Sequence, residues 1–292
     1  MYYVVYVPLY LFSLLPLRVL YLFSDITYFI LYYLAGYRKE IVLANLNQAF
    51  PEKSAKERKS IAKKFYRNLT DAFIESVKII SISKKQIEKR SSGEFALLNG
   101  LIAKGSNIHA LVGHQFNWEF ANLLYALNLD IPFVAIYMPL ANKNLDRIFY
   151  NNRKRYGTIL ISAHDFRKVR HEVFSRQYSL ALAADQNPSN PANAFWMNFL
   201  HKPAPFSKGP AKGAVRYKTA VVIASMEKVR RGRYSFRTAL ITEDGSQYTA
   251  EQLALIYKNE LEKIIRKDPA NYLWSHRRWR HEWKPAYGEI IG

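Results

Sequence analysis

Apolar and polar positions follow two different rhythms along this chain. Residues 1–17 carry no charged side chain, and after Arg18 residues 19–37 are again apolar apart from Asp25 and a few hydroxyls. Roughly 20 apolar residues cross a bilayer, and Pro8, Pro16, Arg18 and Asp25 interrupt a clean span. The pattern predicts a membrane anchor over residues 1–36, either one tilted span or a helical hairpin in one leaflet. A cleaved signal peptide is disfavoured, because no basic region precedes the apolar run and no small-x-small site follows it. Beyond the anchor, Ile41–Leu46 reads as a short amphipathic helix that Pro51 ends. Ser54-Ala55-Lys56-Glu57 is a capping box, opening a basic helix to about residue 68, with a further helix over 70–80.

From residue 107 the rhythm changes. Apolar runs over 107–112, 132–137, 157–161 and 179–184 alternate with helical stretches over 118–128, 143–155 and 165–175. A helix over 210–217, strands over 220–226 and 233–241 and a helix over 248–267 close the series. That alternation predicts an α/β domain, αβα layered around a mostly parallel sheet. It occupies 37–292, with 37–90 as a basic helical lead-in and 91–292 as the core. In such sheets chemistry gathers at the carboxyl ends of strands, and His114 and Asp185 each follow one.

Composition narrows the partners. The net charge of +20 points to nucleic acid, an anionic membrane face or an acidic protein. Aromatic residues reach 15%, and such rings favour the membrane interface, which tilts the choice toward lipid. Residues 37–90 hold 14 Lys and Arg against 6 Asp and Glu, so the anchor's flank is basic and the body is expected on the cytoplasmic side. The chain has no cysteine, which excludes disulfide staples and thiolate metal sites.

The candidate chemistry lies in Gly113-His114-Gln115-Phe116-Asn117-Trp118-Glu119. Five helical positions are about 500° of rotation, so His114 and Glu119 cannot share a helix face. They converge if His114 sits on the loop leaving a strand and Glu119 in the first turn of the next helix, with Asn117 as its N-cap. A carboxylate held against an imidazole fixes its tautomer and raises its basicity, as a general base for a hydroxyl requires. No His-Glu-x-x-His, Gly-x-Ser-x-Gly or P-loop motif competes with this pair.

Several blocks together resemble a known family. Tyr37-Arg38-Lys39, Asn45-Leu46 and Phe50-Pro51-Glu52-Lys53-Ser54 look like the segment after the anchor in bacterial lipid A biosynthesis late acyltransferases, within the lysophospholipid acyltransferase-like superfamily. The family's His-x4-Asp/Glu motif matches His114 and Glu119. Tyr137-Met138-Pro139-Leu140, Arg153-Lys154-Arg155-Tyr156-Gly157, Ala184-Asp185-Gln186 and Trp274-Ser275-His276-Arg277-Arg278-Trp279-Arg280 follow in the family's order, over residues 1–283. Residues 187–208 are only loosely similar, and no Pro-Glu-Gly phosphate block is recognisable.

The resemblance implies a glycerolipid acyltransferase-like fold at the bacterial inner membrane. It also implies acyl transfer from acyl carrier protein, or another thioester such as a CoA ester, to a hydroxyl of a lipid A precursor. His114 would be the base and Glu119 its orienting partner. No metal and no cofactor beyond the thioester co-substrate is expected, and nucleic acid is not expected as a partner. Asn117, Arg153, Arg155, Asp185, Gln186, Lys208 and Arg277 are candidates for substrate contacts. The arginines suit a phosphate, Asp185 and Gln186 a sugar or glycerol hydroxyl, and Lys208 a phosphate at a helix start. Each also has a plainer reading as a solvated charge or turn residue. The rival functions are acylation of a lysophospholipid or aminolipid, a membrane-tethered nucleic-acid-binding protein using the +20 charge and the Trp-Arg tail, and a lipid-binding homologue without turnover.

Overall fold

A computed structural model describes residues 2–292. Two apolar helices come first, α1 (Tyr2–Leu14) and α2 (Leu17–Phe29), and α2 runs on through wider turns over Ile30–Leu34. Pro16 stands between them as the N-cap of α2, where its fixed φ leads into the new helix and its missing N–H costs nothing. Then come α3 (Lys39–Ala49), α4 (Ala55–Lys78) and α5 (Lys84–Arg90). The core follows as β1 (Ser91–Gly93), α6 (Ala96–Ala103), β2 (Ile108–Val112), α7 (Trp118–Asn128), β3 (Phe133–Tyr137), α8 (Lys143–Lys154), β4 (Ile159–Ser162), α9 (Phe166–Phe174) and β5 (Ser179–Ala183). It closes with β6 (Ala194–Phe199), β7 (Lys202–Ser207), α10 (Gly209–Arg216), β8 (Ala220–Arg230), β9 (Arg233–Thr242), α11 (Ala250–Lys267) and β10 (Ile290–Ile291).

Seven strands form the central sheet in the order β1-β9-β8-β2-β5-β3-β4, and every neighbouring pair is parallel except β8 with β9. The central strands are apolar on both faces because both faces are covered. Leu111, Val221 and Ile223 point into one core with α3, α4, α10 and α11. Their alternate neighbours Ile108, Ala110, Ala220 and Val222 point into the other, with α5, α6 and α7. The predicted mixed α/β domain with a mostly parallel sheet is present, and so is each strand and helix expected from residue 107.

Three features differ from the sequence reading. Residues 55–78 form one helix rather than two, because its buried face is polar at Thr70, Asp71, Glu75 and Lys78 and breaks the apolar period without breaking the helix. The loosely matching stretch before Lys208 holds an unexpected antiparallel hairpin, β6–β7, joined by β10 in a small second sheet. Its turn, Leu200-His201, has positive φ at both residues but no Asn or Gly to announce it, and Pro203 and Pro205 interrupt the strand signal of β7. The third is α5 with α6, short helices the pattern did not separate.

The anchor is not a free appendage. Leu17, Leu20, Ser24, Tyr28 and Tyr32 form one buried face of α2 and its continuation. Along α4, Asp71 accepts a hydrogen bond from Ser24 Oγ at 2.7 Å, Glu75 one from Tyr21 Oη at 2.6 Å, and Lys78 donates to Ser13 O at 2.7 Å. Asp71 also receives Lys228 Nζ at 2.8 Å and Arg231 Nη2 at 2.7 Å, and Arg231 reaches on to Asp25 at 2.7 Å. Asp25, one of the residues that interrupt a clean span, thus binds the body, as does Ser24 beside it. The opposite face, with Leu22, Phe23, Ile26, Phe29, Ile30 and Tyr33, is exposed, as are Val4, Val7 and Leu11 of α1.

Asp71 is nearly enclosed, so Asp71→Ala leaves Lys228 and Arg231 without their shared anion. The expected loss is about 3–5 kcal/mol, read as a fall in the Tm of the full chain in detergent micelles. An unchanged Tm would show that this ion cluster does not hold the anchor.

Candidate active site

The strand register brings the site together. In the parallel pair β2–β5, Val112 lies opposite Ala183. Two residues further along both chains, past the carboxyl ends of the strands, His114 meets Asp185. Asp185 is fully buried, and its two oxygens do different jobs. Oδ1 bonds His114 Nδ1 at 2.7 Å and Oδ2 accepts the backbone N–H of His114 at 2.8 Å. One carboxylate therefore fixes both the ring and the loop that carries it. At Gly113, just before, a Cβ would press on the side chain of Leu261 in α11.

The electrostatics follow from that contact. Burial works against charge on His114, but the charge and hydrogen bond of Asp185 outweigh it and raise the imidazole pKa above its ordinary value. Burial likewise works against charge on Asp185. The charge of His114, hydrogen bonds from its ring and backbone, and the charge of Arg278 together hold this carboxyl below its usual range. Because the ionised carboxylate can only accept, neutral His114 carries its proton on Nδ1 and leaves the Nε2 lone pair free. A quarter or so of the His114 side chain is open to solvent (28%), so Nε2 is reachable.

Glu119 does not play the part expected of it. Asn117 caps α7 as foreseen, its Oδ1 accepting from Glu119 N at 3.1 Å and Phe120 N at 3.5 Å. That puts Glu119 in the first helical turn, where its carboxylate is gripped by Arg153, with Nε to Oε2 at 2.9 Å and Nη2 to Oε1, and by Trp118 Nε1 at 3.2 Å. Among the described residues no hydrogen bond joins Glu119 to His114. The sequence spacing found the right turn, but the partner of the imidazole comes from the neighbouring strand. The indole of Trp118 stands edge-on between the two pairs, its centroid 6.3 Å from that of His114.

The other candidates divide by burial and partner. Arg153 belongs to the cluster through Glu119. Arg155 does not: it donates to Ile79 O at 2.9 Å and Ile82 O at 2.7 Å, capping the end of α4, so its guanidinium is occupied by backbone rather than open to a phosphate. Asn117 is buried, and its amide is used within the protein, so it supports the turn and does not face substrate. Gln186 is half-buried beside Asp185. Lys208 lies over the ring of Phe195 at 4.9 Å, at the start of α10. Arg277 is exposed, and its carbonyl accepts from Asn187 Nδ2 at 2.7 Å.

Sequence reasoning passed over Arg278, the adjacent arginine. It is 1% exposed, donates to Asn187 Oδ1 and Pro205 O at 3.0 Å each, and lies over the rings of Phe206 and Phe199. An arginine run gives no sign of which member turns inward. Beside it His276 accepts from Asn187 N, and burial, with the charge of Arg278, pushes its pKa down to about 4. The tail is thus packing: Trp274 is buried, and Asn45 of α3 donates to Trp274 O and His276 O at 2.7 and 2.8 Å. The Trp274 indole so placed is not free to stack on a base.

An imidazole held by a buried carboxylate, with its second nitrogen open at the carboxyl edge of a parallel sheet, is equipped to take a proton from a hydroxyl. Comparisons with known proteins find its relatives among lipid A biosynthesis acyltransferases. Lipid A biosynthesis palmitoleoyltransferase of Escherichia coli (strain K12) is 26% identical over 247 residues, which are 83% of this chain and 79% of that protein. Lipid A biosynthesis acyltransferase of Shigella flexneri is similar to the same extent, 26% over 247 residues. The family described as bacterial lipid A biosynthesis acyltransferase matches residues 1–281. With nearly the whole chain matched, this protein belongs to the bacterial lipid A biosynthesis acyltransferase family.

Proposed function

We propose that the protein is a membrane-seated O-acyltransferase that moves a fatty acyl chain from acyl carrier protein to a hydroxyl of a lipid A precursor. The observation that carries this reading is the Asp185–His114 pair, with Nε2 of the imidazole left free. Nε2 removes the proton of the acceptor hydroxyl as its oxygen attacks the thioester carbonyl. The new C–O bond forms, the C–S bond breaks, and the imidazolium returns its proton to the departing thiolate. Asp185 offsets the charge on the imidazolium and keeps the ring in place, the role a buried aspartate has beside a catalytic histidine. No covalent acyl-enzyme is required. Arg153, fixed by Glu119, supplies a cation at the same mouth for the oxyanion or the acceptor's phosphate.

The surface supports the proposed setting. Exposed apolar residues on α1 and the outer face of α2 would enter the lipid, while Asp25, Ser24 and Tyr21 stay on the body. A helix bonded along its length to α4 suits an in-plane seat in one leaflet better than a span. We place the body on the cytoplasmic side of the inner membrane. The net charge of +20 suits both an anionic membrane and an acidic carrier protein.

His114→Ala is expected to lower acyl transfer by about 10²–10⁴-fold in an assay with acyl carrier protein thioester and a lipid A precursor in mixed micelles. Transfer at the wild-type rate would overturn the base assignment. Mass spectrometry of lipids from a deletion strain tests the acceptor: lipid A lacking one acyl chain is the expected result, and loss confined to phospholipid or aminolipid would reject it.

The pH dependence has a definite sign. The reaction needs neutral His114, and its raised pKa puts the acid limb of kcat/KM above about 6.5, the ordinary histidine value. Asp185→Asn removes the raising charge and leaves burial, so the limb should move below about 6.5 while the plateau falls. A limb that stays in place would separate Asp185 from the titrating group.

A further inference from the structure

The carboxylate of Glu75 lies fully buried on α4, outside the set of residues described so far as acting on substrate. Three donors from three elements converge on it. Tyr21 of α2 donates to Oε1 at 2.6 Å, Asn117 Nδ2 to Oε2 at 2.9 Å, and Tyr234 Oη of β9 to Oε2 as well. Asn117 then uses its other amide atom, Oδ1, to accept the N–H groups of Glu119 and Phe120. An unbroken line of hydrogen bonds therefore runs from the anchor helix, through one carboxylate and one amide, to the turn between His114 and Glu119.

A position that needed only bulk would be better filled by leucine, because burying a carboxylate is expensive unless every oxygen is satisfied. Burial pushes the pKa of Glu75 up, against the three hydrogen bonds and the charge of Lys228 that favour its ionised form. Nor is Tyr21 placed loosely. Its ring lies under the Arg231 guanidinium at 4.3 Å, and its hydroxyl sits where a Cβ on Gly232 would be. Gly232 turns the β8–β9 hairpin at φ +71°, so two independent constraints require glycine there.

We infer that Glu75 is a positioning residue for the transfer reaction, fixing Asn117, and with it the His114–Glu119 turn, to the seat of the anchor helix through Tyr21. This rests on the acyl-transfer reading above. The orientation of Asn117 follows from it. The amide must present Nδ2 to Glu75 and Oδ1 to the helix, and an aspartate could cap the helix equally well but would set a second carboxylate against Glu75.

The test is a donor–acceptor exchange in the full chain in mixed micelles. Glu75→Gln leaves one acceptor oxygen for three donors and Asn117→Asp removes the Nδ2 donor, so each weakens the link, and each is expected to lower kcat on the order of 10- to 100-fold with little change in KM. The double variant rebuilds one hydrogen bond with its direction reversed, the amide now on α4 donating to the carboxylate now at the helix cap. It should recover kcat above either single variant. Tyr21→Phe removes only the anchor's bond and should lower kcat by a smaller factor with the fold retained by circular dichroism. Wild-type kcat in Glu75→Gln and Tyr21→Phe, or a double variant no better than the worse single one, overturns the inference. If a single variant does not fold, Tyr21→Phe with the double variant decides it. His114→Ala runs alongside: if it keeps full transfer, the acyl-transfer reading itself fails, a different result from an inert Glu75.

Discussion

The arrangement depends on one carboxylate with two acceptors in use. Asp185 holds the ring of His114 through one oxygen and the backbone of its loop through the other. Parallel strands make this natural, because neighbouring carboxyl ends leave the sheet side by side and in the same direction. The pairing of Val112 with Ala183 carries straight on to the pairing of His114 with Asp185. The geometry of the site is here an extension of strand register, and a slip in the β2–β5 pairing would separate His114 from Asp185. Burial alone would favour the neutral form of Asp185, and the charge and hydrogen bonds of His114, with a lesser contribution from the charge of the buried Arg278, keep that carboxylate ionised.

The second organising element is the polar face of α4. Asp71, Glu75 and Lys78 stand at helical spacing and are all buried, which would be destabilising on an ordinary core helix. Each is satisfied by a different neighbour: the β8–β9 hairpin with Ser24, the two tyrosines with Asn117, and the last carbonyls of α1. The apolar N-terminal helices are held by these polar contacts as well as by packing, and their outer face is left exposed.

Much of the fold was legible because its signals are local. Five-residue apolar runs between amphipathic stretches are what strands covered on both faces look like, and Asn117 announced the start of α7. The β6–β7 hairpin was not legible, since Leu200-His201 adopts a glycine-type turn without glycine. The site was legible in part. His114 and the neighbourhood of Glu119 could be read from spacing, and Asp185 was noted at a strand end as a substrate contact. That Asp185 and not Glu119 binds the imidazole is a relation between strands 71 residues apart in sequence, and no local period carries it. Arg278 and Glu75 were hidden for a related reason: an arginine among arginines, or a glutamate on a basic helix, reads as solvated surface until the partner surface is known.

The way α1 and α2 lie on α4 bears on how the N-terminus evolves and how it can be handled. A hydrophobic leader is usually regarded as detachable, a tether to be shortened, exchanged or cut away to leave a soluble body. Here, excising it would expose a strip of the interior in which an aspartate, a glutamate and a lysine have lost their neighbours. The leader is in that sense the last layer of the core. Its sequence is free to drift on the exposed side, where any apolar residue serves, and is constrained on the inner side at Tyr21, Ser24 and Asp25, whose side chains make the contacts. A heterologous segment grafted at this end would have to reproduce those three positions before its hydrophobicity mattered.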